Sequence, residues 1–177
     1  IRSFAERLGR VGIVPEYSFV LGLPGEDEAS TMRLIEQDMA FIQEIKAINP
    51  ATESIIYVYS PVPTEGSELY ERVKSSGFSF PETLAEWVDP VWEKFDLRKN
   101  PLTPWLTPTM IDRIRNFETV LHATYPSASD VRMRPWQRKV MRWAGGLRYR
   151  TGFHKFPYEL KAMQKYWHYR QPEVEGM

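Results

Sequence analysis

Two turns hold the residues through which this chain could meet a ligand. The first, Gly22-Leu23-Pro24-Gly25-Glu26, follows the apolar run Tyr17–Leu21. The second, Ser60-Pro61-Val62-Pro63-Thr64-Glu65-Gly66, follows Ser54–Tyr59. In α/β proteins ligands gather where parallel strands end, so both turns fall at a binding edge. Gly22 and Gly25 permit close approach to the backbone. The first turn is not a phosphate loop, because no Gly-Lys-Ser/Thr follows it, and two glycines do not complete a dinucleotide fingerprint. Glu65 and Glu68 lie near the same edge, where they either contact a substrate or cap and solvate the turn. His122, His154 and His168 have no partner at metal-ligand spacing and read as surface or packing residues. No nucleophile–base pair can be placed, so no catalytic residue and no metal ligand is assigned.

The elements that must position these turns follow from periodicity. Residues 1–9 read as the end of a helix with Phe4, Ala5 and Leu8 on one face, broken by Gly12. Glu16–Leu21 reads as a strand with little polar alternation, as expected of a parallel strand buried on both faces. A helix is predicted from Asp27 to Ile48, because Met32, Ile35, Met39, Ile42, Ile45 and Ile48 recur every three or four residues. Glu26, Asp27 and Glu28 suit its positive end, and Asn49-Pro50 stops it. With Ser54–Tyr59 as a second strand, this is one right-handed βαβ unit with parallel strands. Ser67 should cap a short helix, 68–76, that Gly77 ends. Two strands cannot bury a parallel sheet on both faces, so the first portion is expected to be the C-terminal part of a larger α/β barrel or sheet.

Beyond Phe80 the character changes. Pro81, Pro90, Pro101, Pro104 and Pro108 punctuate a stretch with Trp87, Trp92 and Trp105, which suits an irregular segment draped over a surface. A helix should start at Thr107-Pro108 and carry Ile111, Ile114, Phe117 and Leu121 as far as Tyr125-Pro126. Two more helices are expected near 135–144 and 157–169, with Gly145-Gly146 and Thr151-Gly152 breaking the region between them. The expected division is 1–80 for the barrel portion and 81–177 for the irregular segment and tail.

The 177 residues suffice for one core, or a small core with an appendage, and the formal net charge is zero. That neutrality hides a segregation. Residues 16–96 carry five Lys/Arg against sixteen Asp/Glu, while residues 132–170 carry eleven Lys/Arg against Glu159 alone. Opposed halves imply distinct surfaces with distinct partners, or with each other. The absence of cysteine rules out a disulfide, a thiolate metal site and a thiol nucleophile, and it fits a cytoplasmic chain. No apolar run reaches the length of a membrane span and no signal-peptide pattern is present. Ile1 falls inside an amphipathic pattern, as expected of a truncated or processed N-terminus.

Phe19-Val20-Leu21-Gly22-Leu23-Pro24-Gly25-Glu26, with Tyr57-Val58-Tyr59-Ser60-Pro61-Val62-Pro63 about 35 residues on and then Gly66-Ser67-Glu68-Leu69-Tyr70, resembles the late part of a radical S-adenosylmethionine enzyme. The resemblance covers about residues 1–77. It implies the last strands and helices of a partial (β/α)6 TIM-like barrel, followed by a mainly helical basic tail. By the same resemblance Val20, Leu21 and Gly22 border the adenosine of S-adenosylmethionine, with Tyr59, Ser60 and Pro61 on its other side. Backbone groups at Leu21-Gly22 and Tyr59-Ser60 would meet the adenine edge, and Val20 or Tyr59 its face. The implied activity is reductive cleavage of the cofactor to a 5′-deoxyadenosyl radical, leading to methyl transfer, ring formation or related C–H functionalisation. The family's C-x-x-x-C-x-x-C loop, whose thiolates hold a [4Fe–4S] cluster, has no counterpart here, so the cluster ligands would lie outside this chain and the chain alone should be inactive. The second turn also departs from the family, reading Pro63-Thr64-Glu65-Gly66-Ser67 where a shorter P-G-T is usual. The Trp- and Arg-rich tail resembles the subset with an upstream cobalamin-binding domain, so cobalamin is a further implied cofactor.

The basic tail has two readings of its own. Trp136, Val140 and Trp143 form one face of a helix with Arg138, Lys139 and Arg142 on the other, and Leu160, Met163 and Trp167 repeat the pattern against Lys161 and Lys165. Either the aromatic face packs on the barrel while the cations meet the acidic half, or the tail grips an anionic membrane surface or nucleic acid. The alternative function is therefore a non-catalytic α/β module whose basic helices bind an anionic partner. Such a module should fold stably alone, whereas a barrel portion should show an exposed strand edge and marginal stability. The expected partners are the upstream part of the same protein and a small-molecule or lipid-like substrate.

Overall fold

The computed structural model describes residues 1–61, 64–90, 103–126 and 133–167. Val62, Pro63, Trp92, Pro101 and His168, which figure in the expectations above, lie outside them. The chain divides into two compact units, Ile1–Ile114 and Arg115–Met177.

The first unit is built on the expected βαβ arrangement. Helix α1 (Arg2–Arg10) leads to strand β1 (Glu16–Leu21), helix α2 (Glu28–Ile48) and strand β2 (Glu53–Val58), and the strands pair in parallel from Glu16 opposite Glu53 to Leu21 opposite Val58. Helix α2 buries Ile35, Met39, Ile42 and Ile45, the stripe its spacing predicts. Its start is fixed by a reciprocal cap. Asp27 accepts from the Ser30 amide at 2.6 Å and its own amide donates to Ser30 Oγ at 2.8 Å. These bonds hold the Asp27 carboxyl below its usual range. Arg2 and Glu44 tie α1 to α2 through two bonds of 2.5 and 2.9 Å. At the far end of α2, Lys46 is buried and donates to the Thr52 carbonyl. Burial pushes its ammonium down to about 8, against the opposing pull of Glu53.

Strand β1 differs from expectation on one face. Glu16, Ser18 and Val20 are exposed and alternate with Tyr17 and Phe19, which are half-buried. The inward face is covered, whereas no further strand among the described residues covers the other. Helix α3 (Glu68–Ser75) begins at Ser67, whose Oγ accepts from the Tyr70 amide at 3.1 Å, and ends before Gly77 at φ +89°. Helix α4 (Leu84–Trp87) is a single turn capped by Thr83. Helix α5 (Pro108–Thr124) begins within the first unit and ends within the second. In the first unit, Arg113 grips Glu36 of α2 with two bonds of 2.7 and 3.0 Å.

The second unit gathers Val120, Ala123, Met133, Met141 and Leu160 into a core, from α5, α6 (Pro135–Thr151) and α7 (Tyr158–Tyr166). Here the expected break at Gly145-Gly146 is corrected: α6 runs straight through it and ends at Gly152, in the left-handed region at φ +66°. A Cβ on Gly145 would stand 2.8 Å from both the Ala123 Cβ and the Thr124 amide nitrogen. The glycine therefore admits the neighbouring helix at close range, and that packing overrides its low helix propensity. Among the described residues there are seven helices and one two-stranded parallel sheet, a mixed α/β architecture. Two paired strands do not by themselves make a barrel.

Candidate functional site at the strand ends

Parallel pairing in this register brings the C-terminal ends of β1 and β2 side by side, and with them the two turns. The Tyr59 amide donates to the Leu21 carbonyl at 2.7 Å, extending the ladder one step past β2. Gly22 then turns away at φ +88°, a conformation that L side chains rarely adopt. Gly25 is constrained differently: a Cβ there would lie 2.6 Å from the Thr31 nitrogen, so only glycine lets the turn fold back onto the start of α2. The Gly25 amide donates to Thr31 Oγ1 at 3.0 Å, closing that turn.

The six expected cofactor-edge residues are thus assembled by the fold, but not equally exposed. Leu21, Gly22, Tyr59, Ser60 and Pro61 are buried, while Val20 on the outward face of β1 is 47 % exposed. Tyr59 joins Val73 and Phe78 in a small core with Leu23, Leu69, Phe80 and Trp105 packed against it. Burial raises the Tyr59 phenol above its ordinary value. Ser60 Oγ is buried with no hydrogen-bond partner among the described residues, and Thr103 Oγ1 is in the same condition.

Sequence reasoning missed the segment Thr103–Leu106 as part of this edge. The Trp105 indole N–H donates to the Gly22 carbonyl at 2.9 Å, and its ring lies 6.2 Å from that of Tyr59. Leu106 presses on Gly22 so closely that a Cβ there would meet its methyls at 3.1 Å. The only advance signal was the tryptophan itself, in a proline-rich stretch expected to drape over a surface. The Leu21 and Gly22 carbonyls are thus taken up by the Tyr59 amide and the Trp105 indole, and beside them lie the Tyr59–Trp105 aromatic pair and the buried Ser60 hydroxyl.

Glu68 pairs with Arg72 at 2.9 Å on the exposed side of α3, and Glu65 is exposed. His122 and His154 are buried, and His154 meets Phe117 edge-on at 5.3 Å between ring centroids. No group of three or more His, Cys, Asp or Glu among the described residues could hold a metal ion, and none of their helices is long and apolar enough to cross a membrane. Comparison with protein-family models, curated proteins and solved structures returns no match.

Proposed function

We propose that this chain is the C-terminal part of a radical S-adenosylmethionine enzyme, of the type with a cobalamin-binding domain upstream. One observation carries the proposal: the register that sets the Leu21–Gly22 turn against Tyr59–Ser60 at a single strand edge. There the backbone at Leu21–Gly22 and Tyr59–Ser60 would meet the adenine edge, with Val20, Pro61 and the Tyr59 ring bordering the adenosine. Trp105 is added as a wall on the Gly22 side. The cofactor, once bound, supplies radical chemistry for methyl transfer or related C–H functionalisation. No residue of this chain fits the [4Fe–4S] cluster, because it contains no cysteine. Its own part is to bind and orient within a partial barrel in the cytoplasm, with the cluster ligands and a separate cobalamin-binding domain upstream.

Photo-crosslinking with an azido-adenosyl analogue of S-adenosylmethionine tests this reading. Label should appear in peptides containing residues 20–22 and 59–61, and labelling confined to other segments counts against it. Cleavage of S-adenosylmethionine by these 177 residues alone would overturn it. In the coding sequence, a cysteine triplet is expected roughly 100 to 150 residues before Ile1, given the size of such barrels.

A second reading is favoured by the exposure of Trp136 and Trp143. It holds that the basic tail meets an anionic partner, whether or not the first unit is part of an enzyme.

A further inference from the structure

Helix α6 turns the expected packing inside out. Its buried positions are Met141 and Gly145. Trp136, Val140, Trp143 and Leu147 are exposed to 54, 38, 70 and 52 %. Their spacing of four, three and four residues places them within an arc of about 60° at 100° per residue, on the side away from Met141 and Gly145. Over these three turns, about 16 Å of helix, the unit thus presents an unbroken apolar ridge to solvent.

The ridge is set in positive charge. Lys139, Arg142 and Arg150 are exposed on the same helix, and no Asp or Glu occurs from residue 131 to residue 158. Arg148 turns inward, its side chain 15 % exposed, to grip Glu159, and Arg138 is half-buried.

We infer that the exposed face of α6 is a docking surface for an anionic lipid bilayer, with the helix lying in the plane of the interface. This rests on the second reading above, that the basic tail meets an anionic partner, and names that partner. Three features select it. Tryptophan side chains favour the boundary between headgroups and acyl chains, and here two of them, Trp136 and Trp143, belong to the ridge. Long cationic side chains beside them extend to the headgroups while their stems cover apolar surface. Val140 and Leu147 offer no face on which a nucleobase stacks, but they dissolve readily among acyl chains, so the ridge suits lipid better than nucleic acid. A second copy of the same helix would bring like charges together, which disfavours self-association through this face.

Flotation of the full chain with vesicles separates bound protein from aggregates and tests the inference. Vesicles of equal parts phosphatidylcholine and phosphatidylglycerol should carry the chain upward at low salt, and phosphatidylcholine alone far less. Bilayers brominated near the headgroups should quench tryptophan fluorescence. The double variant Trp136→Ser/Trp143→Ser should lower partitioning at least about tenfold. Because Trp136 meets Trp167 edge-on at 5.5 Å, circular dichroism first establishes that the variant folds. Trp143→Ser alone, at the more exposed position, should lower partitioning in the same direction. Lys139→Glu/Arg142→Glu should abolish the preference for the anionic lipid. A single-stranded RNA in place of vesicles distinguishes the two levels of failure. Binding to RNA without flotation overturns the lipid assignment and leaves the anionic-partner reading standing. Binding to neither removes both, and flotation indifferent to the tryptophan pair overturns the assignment of this face.

Discussion

The strand ends of the first unit and helix α6 of the second use the same residue types to opposite ends. At the strand ends, the residues marked by sequence for a ligand are buried, and Trp105 and Leu106 lie over Gly22. On α6, the two tryptophans that would ordinarily form a core face solvent, and the inward face is made of Met141 and Gly145 with Ala144 and Tyr149 beside them. Glycine decides both cases. Gly22 supplies a backbone conformation, whereas Gly145 supplies the absence of a side chain where a neighbouring helix needs the space. Apolar character says that a residue seeks a partner, but the position of the small residue says which side of the element finds one within the fold.

The widest gap between the two regions should appear when the glycines of α6 are filled. Gly145→Leu should destabilise the second unit by about 2–3 kcal/mol, since its Cβ meets Thr124 backbone that cannot yield. Gly146→Ala has open space and should be neutral or stabilising by about 0.5–1 kcal/mol. Urea unfolding monitored by circular dichroism compares them, and equal effects would remove the close-approach account of α6.

Next in size is the Arg148–Glu159 pair, which holds the α6–α7 connection. Arg148 donates to Glu159, and also to the carbonyls of Phe153, Lys155 and Phe156 at 3.3, 2.9 and 3.2 Å. Arg148→Ala should cost about 1.5–3 kcal/mol, whereas Glu159→Gln, which keeps the carbonyl bonds, should cost less than half of that. Trp105→Phe tests the strand-end side of the comparison. It deletes the bond to Gly22 while keeping an aromatic, though smaller, ring, and should lower the stability of the first unit by at least about 1 kcal/mol.

The smallest expected effect lies at acid pH. The folded state holds Asp27 below its ordinary value of 3.8 through bonds from the Ser30 amide and hydroxyl. A depressed carboxyl contributes stability that is fully present above its unfolded value and is lost as pH falls through the folded one. Between neutral pH and the start of that range the cap contribution should be flat, then decline below about 4. Asp27→Asn should remove this part of the decline in thermal melts, and an unchanged profile would detach the cap from acid sensitivity.

Much of the first unit was legible because its signals are local. The three- and four-residue spacing of Ile35, Met39, Ile42 and Ile45 gave α2, Ser67 gave the start of α3, and the βαβ connection implied parallel strands with adjoining turns. The covering of Gly22 was not legible, because Trp105 lies 83 residues away and no periodicity links them. Helix α6 failed for a different reason. Gly145-Gly146 reads as a break when only propensity is weighed, and the strongest apolar signal on the helix points away from its core. Of the α6 residues in or against the core, Met141, Ala144, Gly145 and Tyr149, two are small and one carries a hydroxyl, so the inward face leaves little hydrophobic pattern to find.

The Arg148 clamp sets an order of release at the α6–α7 corner. Burial works to raise the Glu159 carboxyl, but the bond and charge of Arg148 outweigh it and hold the group below its usual range. Acid strong enough to protonate Glu159 loosens the start of α7, yet the guanidinium keeps its charge and its hold on the three carbonyls. The corner should therefore come apart in two stages, the helix before the loop, and at neutral pH heat should open both together.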